Sequence, residues 1–238
     1  MANTIQNNRD FLFLYEAAQC NPNGDPDQEN RPRMDYDTQT NIVTDVRVKR
    51  YIRDFLKQEG NEIFVDMEGD SKVTMEEKMR QQVYQLFQDD TRMRALIDDE
   101  KILKEYETIK AEGVEKVVGM LVNEKTKHKA FNLALLSALV KHRYIDIRMF
   151  GSAFAVKGFN RSMTGPIQLN WGYSLNQVYL MESNTISSIM NDDSSTFGKD
   201  YRVKYSLLAF QGTINRHAAQ TTGLTDEDLE TFRSAIWQ

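Results

Sequence analysis

The chain of 238 residues has little of what the commonest chemistries require. Its one cysteine, Cys20, excludes an internal disulfide framework and fits a reducing compartment. Standing at the end of an apolar segment, that thiol is expected to be packed as a small hydrophobe. The three histidines, His128, His142 and His217, have no zinc-type spacing with it. Phosphate-loop, nucleophile-elbow and Gly-x-Gly-x-x-Gly motifs are missing, so nucleotide hydrolysis, serine hydrolase chemistry and dinucleotide redox chemistry have no visible machinery. No apolar run approaches the roughly eighteen residues that span a bilayer. The N-terminus carries no basic leader, and Glu16 interrupts the early apolar run. Together these absences predict a cytoplasmic protein that uses no cofactor and touches no membrane.

What is present is ordinary in bulk and uneven in detail. With 40% apolar and 27% charged residues, the chain can bury one good core, or one domain carrying an insertion. The net charge of −5 is not spread evenly. Residues 59–115 hold sixteen acids and eight bases, whereas Thr44–Lys57 has five bases against two acids. A polyanion meets the local stripe rather than the total.

That stripe belongs to the most informative stretch, Cys20 to Arg53. Upstream, Asp10–Ala18 is a short apolar, aromatic run that predicts a strand. The chain then turns polar: Pro22 biases Asn21 toward extended backbone, Asn23-Gly24 is a turn dipeptide, and Asp25-Pro26 stiffens the next step. From Thr44, a plausible N-cap, the period becomes helical. Val48, Tyr51, Ile52, Phe55 and Leu56 share one face, and Arg47, Arg50, Arg53 and Lys57 line the other. A strand, a stiff polar loop and a basic amphipathic helix suggest a phosphate-backbone binder; the charge pattern alone also describes a solvated helix face.

The acidic middle predicts helices over Val73–Leu86, Met93–Ile109 and Phe131–His142, with Met75, Met79, Met93 and Met120 as core filler. Strands are expected again at Tyr144–Val156 and Pro166–Leu175. The segment between them, Lys157–Gly165, reads as a glycine-punctuated loop offering Lys157, Arg161, Ser162 and Thr164. Val178–Arg202 begins and ends strand-like around a polar middle, Ser183–Ser195, for which a disordered loop is an equally good description. Asp226–Gln238 reads as a helix capped by Thr225, with Asp226, Glu227 and Asp228 facing its positive end.

Four blocks, in order, resemble one family. They are NPNGDPD (Asn21–Asp27) with NRPRMD (Asn30–Asp35) and VTDVRVKRYIRD (Val43–Asp54); DIRMFGSAFAV (Asp146–Val156) with TGPIQLNWGYSL (Thr164–Leu175); FGKDYRVKYSLLAF (Phe197–Phe210); and TTGLTDEDLETFRSAIW (Thr221–Trp237). They resemble the backbone subunit of type I CRISPR Cascade complexes, of the RAMP superfamily, most like the type I-B branch and next the type I-C branch.

The resemblance implies an α+β fold: an RRM-like, ferredoxin-like βαββαβ palm formed by residues 1–58 and 146–238. It also implies a helical insertion, the fingers, at 59–145, and an extended thumb at about 178–202. At least one further strand is expected after the Asp226–Gln238 helix. The implied function is a noncatalytic scaffold that polymerises head-to-tail along CRISPR guide RNA, beside other Cascade subunits, and presents its bases to a target DNA strand. The RNA-binding residues carried over are Asn21, Asn23, Arg31, Arg33, Arg47, Lys49, Arg50, Arg53, Lys157, Arg161, Ser162, Thr164, Gln168 and Asn170. Met190 or Phe197 would be the thumb's apolar wedge, with Lys199 beside it. Trp171 is expected to be core.

Two rivals remain. Asp25, Asp27, Asp35 and Asp37 could gather Mg²⁺ for phosphodiester cleavage, as an aspartate of the corresponding loop does in related type III subunits. The same acids could instead close turns and pair with Arg31 and Arg33. A subunit that binds only protein partners is the other alternative.

Overall fold

The computed structural model describes residues 4–65, 75–97, 99–111, 113, 127–156, 159–182, 185–191 and 194–238. Lys157 and Met120, and the side chains of Met75, Arg161, Met190 and Phe197, lie outside the described set. In chain order, β1 (Arg9–Ala18) leads through β2 (Gly24–Asp25), β3 (Arg31–Pro32) and β4 (Met34–Asp35) to β5 (Thr40–Val43) and helix α1 (Asp45–Gln58). Helices α2 (Met75–Gln88), α3 (Asp90–Leu96), α4 (Glu100–Lys110), α5 (Lys129–Arg143) and α6 (Ile145–Phe150) follow. Then come β6 (Gly151–Val156), β7 (Phe159–Thr164), β8 (Ile167–Leu169), β9 (Gly172–Ser174), β10 (Thr185–Asn191), β11 (Ser194–Lys199) and β12 (Tyr205–Ile214), and helices α7 (Arg216–Thr222) and α8 (Asp226–Trp237). Among the described residues no helix is long and apolar enough to cross a membrane.

The chain divides into two compact units. The sheet unit comprises Asn7–Asp54, Ile167–Asn215 and Ile236–Gln238; the helical unit comprises Met1–Gln6, Phe55–Pro166 and Arg216–Ala235. In the sheet unit, antiparallel strands run in the order β1-β12-β9-β5-β4, and β8 also pairs with β12. The expected strand at Asp10–Ala18 is β1, paired with β12 from Arg9↔Ile214 to Ala18↔Tyr205. Its period-2 alternation sends Phe13 and Tyr15 toward the buried Phe210, with ring centroids 5.9 and 5.8 Å away. Leu14, Ala209 and Tyr173 stand opposite one another across β1, β12 and β9, and Leu14 and Tyr173 are exposed. Two of the crowded glycines lie against aromatic rings of this sheet. A Cβ on Gly172 would lie 2.2 Å from the Phe210 ring, and one on Gly212 the same distance from the Phe11 ring.

The buried polar residue that ties these strands together is Asn41. Its carboxamide donates to Arg33 O (2.9 Å) and accepts from the Ser206 hydroxyl (3.0 Å), while its backbone N–H donates to Ser174 Oγ (3.0 Å). A buried amide must satisfy its groups internally, and here it does so across three strands.

The helical unit has a core of Met79, Val83, Phe87, Met93, Tyr106, Ile109, Phe131, Leu135 and Leu139, among others. Met79 and Met93 are core filler, as their helical spacing predicts. Where one helix is expected over Met93–Ile109 there are two, because Asp99 caps a new start by accepting from Lys101 N and Ile102 N. Fully buried Asp146 accepts the backbone N–H groups of Phe64 (2.9 Å) and Val65 (3.2 Å). Arg148 grips Asp228 through two bonds of 2.8 and 2.9 Å. Thr225 and Asp228 exchange reciprocal 3.1 Å bonds at the start of α8, the cap expected there in its boxed form.

This is a mixed α+β fold whose antiparallel sheet and helices are consistent with a ferredoxin-like core. Several local expectations are corrected. Tyr144–Val156 is not one strand: its first half is α6, ended by Gly151 at φ 67°. Ile145, Ile147, Met149 and Phe150 are all buried, and burial, not intrinsic strand preference, sets the conformation of such residues. Pro166–Leu175 is split into β8 and β9 around Asn170-Trp171. Most of the expected Lys157–Gly165 loop is strand β7, paired with β6. The polar middle of Val178–Arg202 contributes to a hairpin, β10–β11, with an irregularity between Ile189 and Asn191. Cys20 is exposed, because Gln19 at φ 53° turns the chain away as β1 ends. Trp171 is 47% exposed, set outside the core by the same break that separates β8 from β9.

Gly172 and Gly212, each against an aromatic ring, give a comparative test. Gly172→Ala should destabilise the protein by about 1–3 kcal/mol, because the Phe210 ring it strikes is fully buried and cannot move aside. Gly212→Ala meets the half-buried Phe11 ring, which can swing, so its loss should be smaller. Urea unfolding of both variants measures the difference; equal losses would contradict this account.

Candidate nucleic-acid interface

The polar loop between β1 and α1 is fixed at both ends by side chains within it. At its start, Asn21 Nδ2 donates to Asn30 O (2.7 Å), and Asn30 N donates to Asp25 O (2.9 Å). Glu29 and Asn30 both take the left-handed conformation, at φ 53° and 60°, which folds the loop back on itself. At its end, Asn23 Oδ1 accepts from Thr44 N (2.9 Å) and from the Thr44 hydroxyl (3.0 Å). Thr44 Oγ1 then accepts from Arg47 N at 3.4 Å, the expected N-cap contact of α1. The loop is thus bonded directly to the start of the basic helix.

The cations have specific partners. Arg33 Nη1 pairs with Asp25 (3.1 Å), Lys49 with Asp45 (2.9 Å) and Arg50 with Asp54 (2.8 Å). Arg31 lies 4.6 Å from the Tyr201 ring centroid and donates to its hydroxyl (3.2 Å). That hydroxyl donates to Glu29 (3.0 Å), which also accepts from Lys199 Nζ (3.1 Å). The Lys199 ammonium, and then the Tyr201 hydroxyl, hold the Glu29 carboxyl below the usual carboxylate range. Arg47 is placed differently: its Nε donates to the Tyr51 hydroxyl at 2.8 Å, with the guanidinium 4.5 Å from the ring centroid. Nearby, the Tyr15 hydroxyl is buried with no hydrogen-bond partner among the described residues, and burial, with Tyr51 and Cys20 next in effect, raises its pKa.

The loop carboxylates serve the loop. Asp25 also accepts from Asp27 N (3.2 Å) and Asp35 accepts from Asp37 N (3.0 Å), each closing a turn. A hydrogen bond from the Thr38 side chain, followed by that Asp37 bond, lowers the Asp35 pKa. Among the described residues no three His, Cys, Asp or Glu groups are gathered as a metal centre would need.

Within the sheet unit the structure therefore assembles Asn21, Asn23, Arg31, Arg33, Arg47, Lys49, Arg50 and Lys199 around one loop and one helix start. Arg53 lies half-buried further along α1. Gln168 and Asn170 are exposed on and just beyond β8 in the same unit. Ser162 and Thr164 are exposed on β7, in the helical unit. Sequence reasoning missed Glu29 and Tyr201 altogether, and it gave Tyr51 to the apolar face although it is 43% exposed. No local pattern could have joined Arg31 to Tyr201, which stands 170 positions away. Tyr51 carried a signal: it stands four residues after Arg47, within reach on a helix surface.

The chain matches the family of CRISPR-associated protein Cas7 over residues 7–238. A Cas7 protein of Haloferax volcanii is 30% identical over 243 aligned positions, which take in 99% of this chain and 64% of that relative. This chain thus spans under two thirds of that relative's length. Among solved structures, a chain of a CRISPR RNA-guided surveillance complex, pre-nicking, superimposes with a TM-score of 0.55 at 13% identity, covering 97% of this chain and 71% of that one. At that identity the likeness is one of fold. With the family match running from Asn7 to Gln238, the chain belongs to the Cas7 family of CRISPR-associated proteins.

Proposed function

We propose that this chain is a noncatalytic RNA-binding scaffold, a backbone subunit of the type I-B kind in a Cascade-type interference complex. It coats CRISPR guide RNA head-to-tail with copies of itself, beside other subunits in the cytoplasm, and leaves the bases to pair with a target DNA strand. In this reading residues 1–58 and 146–238 act as palm, 59–145 as fingers and the β10–β11 region as thumb. Sequence is read by base pairing, and the protein holds the guide by its backbone and shape. Arg47, Lys49, Arg50 and Arg53 neutralise phosphates, while Asn21, Asn23 and the Lys157–Thr164 segment add hydrogen bonds.

The observation that carries this reading is the bond between Asn23 and Thr44, which locks a stiff polar loop to the first turn of a basic helix in a chain of this family. The surface pairs on α1 do not argue against it. Exposed pairs such as Arg50–Asp54 are worth about 0–1 kcal/mol, so a phosphate can replace the carboxylate at little cost.

Reversing Arg50 and Arg53 to Glu should weaken binding to guide-length RNA and flatten the salt dependence by about 0.7 log units per lost contact. Fluorescence anisotropy across a salt series, with melting curves as the folding control, reads both effects. An unchanged affinity and slope would remove α1 from the interface.

The scaffold reading also predicts no periodic cutting of a complementary RNA in Mg²⁺ or Mn²⁺. Regularly spaced products that vanish in Asp25→Asn would establish the endonuclease alternative instead.

For assembly, a subunit that coats RNA repeats one heterologous contact and so builds an open helix. Deleting Ser183–Ser195 should leave a folded subunit that binds short RNA but forms no regular filament on long RNA. Electron microscopy of that deletion decides the point; evenly spaced filaments would overturn the assigned thumb role.

A further inference from the structure

Arg47 differs from its neighbours in what holds it. Arg33, Lys49, Arg50 and Lys199 each meet a carboxylate, but among the described residues no carboxylate pairs with Arg47. Its partner is uncharged. Tyr51 accepts the Arg47 Nε–H at 2.8 Å, lays its ring 4.5 Å from the guanidinium carbon, and donates its own proton to Pro22 O at 3.3 Å. A phenol has one proton to give, so with that proton committed to the loop backbone its lone pair is left facing Arg47. The ring is therefore held by the loop at one end and by its helix at the other.

This arrangement does little for the helix itself. Arg47 stands in the first turn of α1, where the helix dipole works against a cation. The nearby Asp45 carboxylate is taken by Lys49. What the arrangement does is remove rotamer freedom from a long cationic side chain without neutralising it. A carboxylate in the place of Tyr51 would orient Arg47 equally well but would compete with any incoming anion. Phenylalanine would stack without fixing the tilt. Tyrosine stacks on the guanidinium and also accepts its Nε–H without placing a carboxylate beside it.

We propose that Tyr51 is a positioning residue that presets the Arg47 guanidinium, whose Nη donors meet no partner among the described residues, for a forked contact with one backbone phosphate of the RNA. This rests on the RNA-binding reading above. The gain comes from preorganisation: the ordering of Arg47 is complete before the phosphate arrives.

The test is a double-mutant cycle on guide-length RNA with Arg47→Ala, Tyr51→Leu, the pair together, and Tyr51→Phe. Arg47→Ala should weaken binding and flatten the salt slope by about 0.7. Tyr51→Leu should weaken binding about fivefold while leaving the slope nearly intact, because the charge remains. The double variant should bind as Arg47→Ala does. Tyr51→Phe, which keeps the ring and the packing, should lose about twofold with Arg47 present and nothing in its absence. Melting curves monitor folding, and the cycle reads a coupling that a purely structural tyrosine would not produce. Unchanged affinity in Tyr51→Leu, or equal losses with and without Arg47, overturns the positioning role. If the wild-type chain binds RNA and Arg50/Arg53 reversal weakens it, that negative result falls on Tyr51 alone. Failure of the wild-type chain to bind RNA removes both readings.

Discussion

The carboxamide oxygen of Asn23 accepts both the N–H and the hydroxyl of Thr44, and the geometry of the polar loop depends on that pair. With its proton committed to Asn23, the Thr44 hydroxyl turns a lone pair to Arg47 N and so starts α1. The loop and the helix therefore have one origin. Each such bond is worth about 1 kcal/mol net, so its importance lies less in stability than in fixing where the first turn begins. The placement of Arg47, and of Tyr51 beside it, follows from that starting point. Asn41, on β5 just before Thr44, does the corresponding work for the sheet, joining Arg33 O, Ser206 and Ser174 in its buried layer.

The loop's charges are arranged against one another before any ligand arrives. Asp25 holds Arg33, and Glu29 gathers Lys199 and Tyr201, which in turn meets Arg31. Such pairing settles long cationic side chains in defined places at a low energetic return, since they remain partly in water. It also shows how a chain of net negative charge can carry a local basic stripe. The carboxylates nearest the cations serve as internal partners, and much of the remaining acid lies in residues 59–115, away from that stripe in sequence.

Much of the scaffold was legible in the residues themselves. The Asp10–Ala18 run became β1, the 3.6-residue period from Thr44 became α1, and Thr225 caps α8. The helix and its caps rest on interactions between residues a few positions apart, and the β1 run on a short-range apolar pattern that its pairing with distant β12 completes. One failure has a local cause and another a tertiary one. Asp99 divides a helix that apolar spacing alone would continue, whereas burial holds Ile145–Phe150 as a helix, ended by Gly151, where β-branched and aromatic residues predicted a strand.

The sequence by itself determined those elements whose signal is local, α1 and the cap of α8 among them, and which residues could carry charge, because period, caps and turn dipeptides act over a few residues. Tertiary structure decided which of those groups remain available. Asn23 meets Thr44 across 21 positions, and Arg31 meets Tyr201 across 170. Whether Cys20 and Trp171 are covered depends on which segments return to them, and neither is. Arg47 and Arg50 look alike in the sequence, yet one is held by a neutral phenol and the other by a carboxylate. A charge in sequence is only a residue type; its availability is set by the partner that folding places beside it.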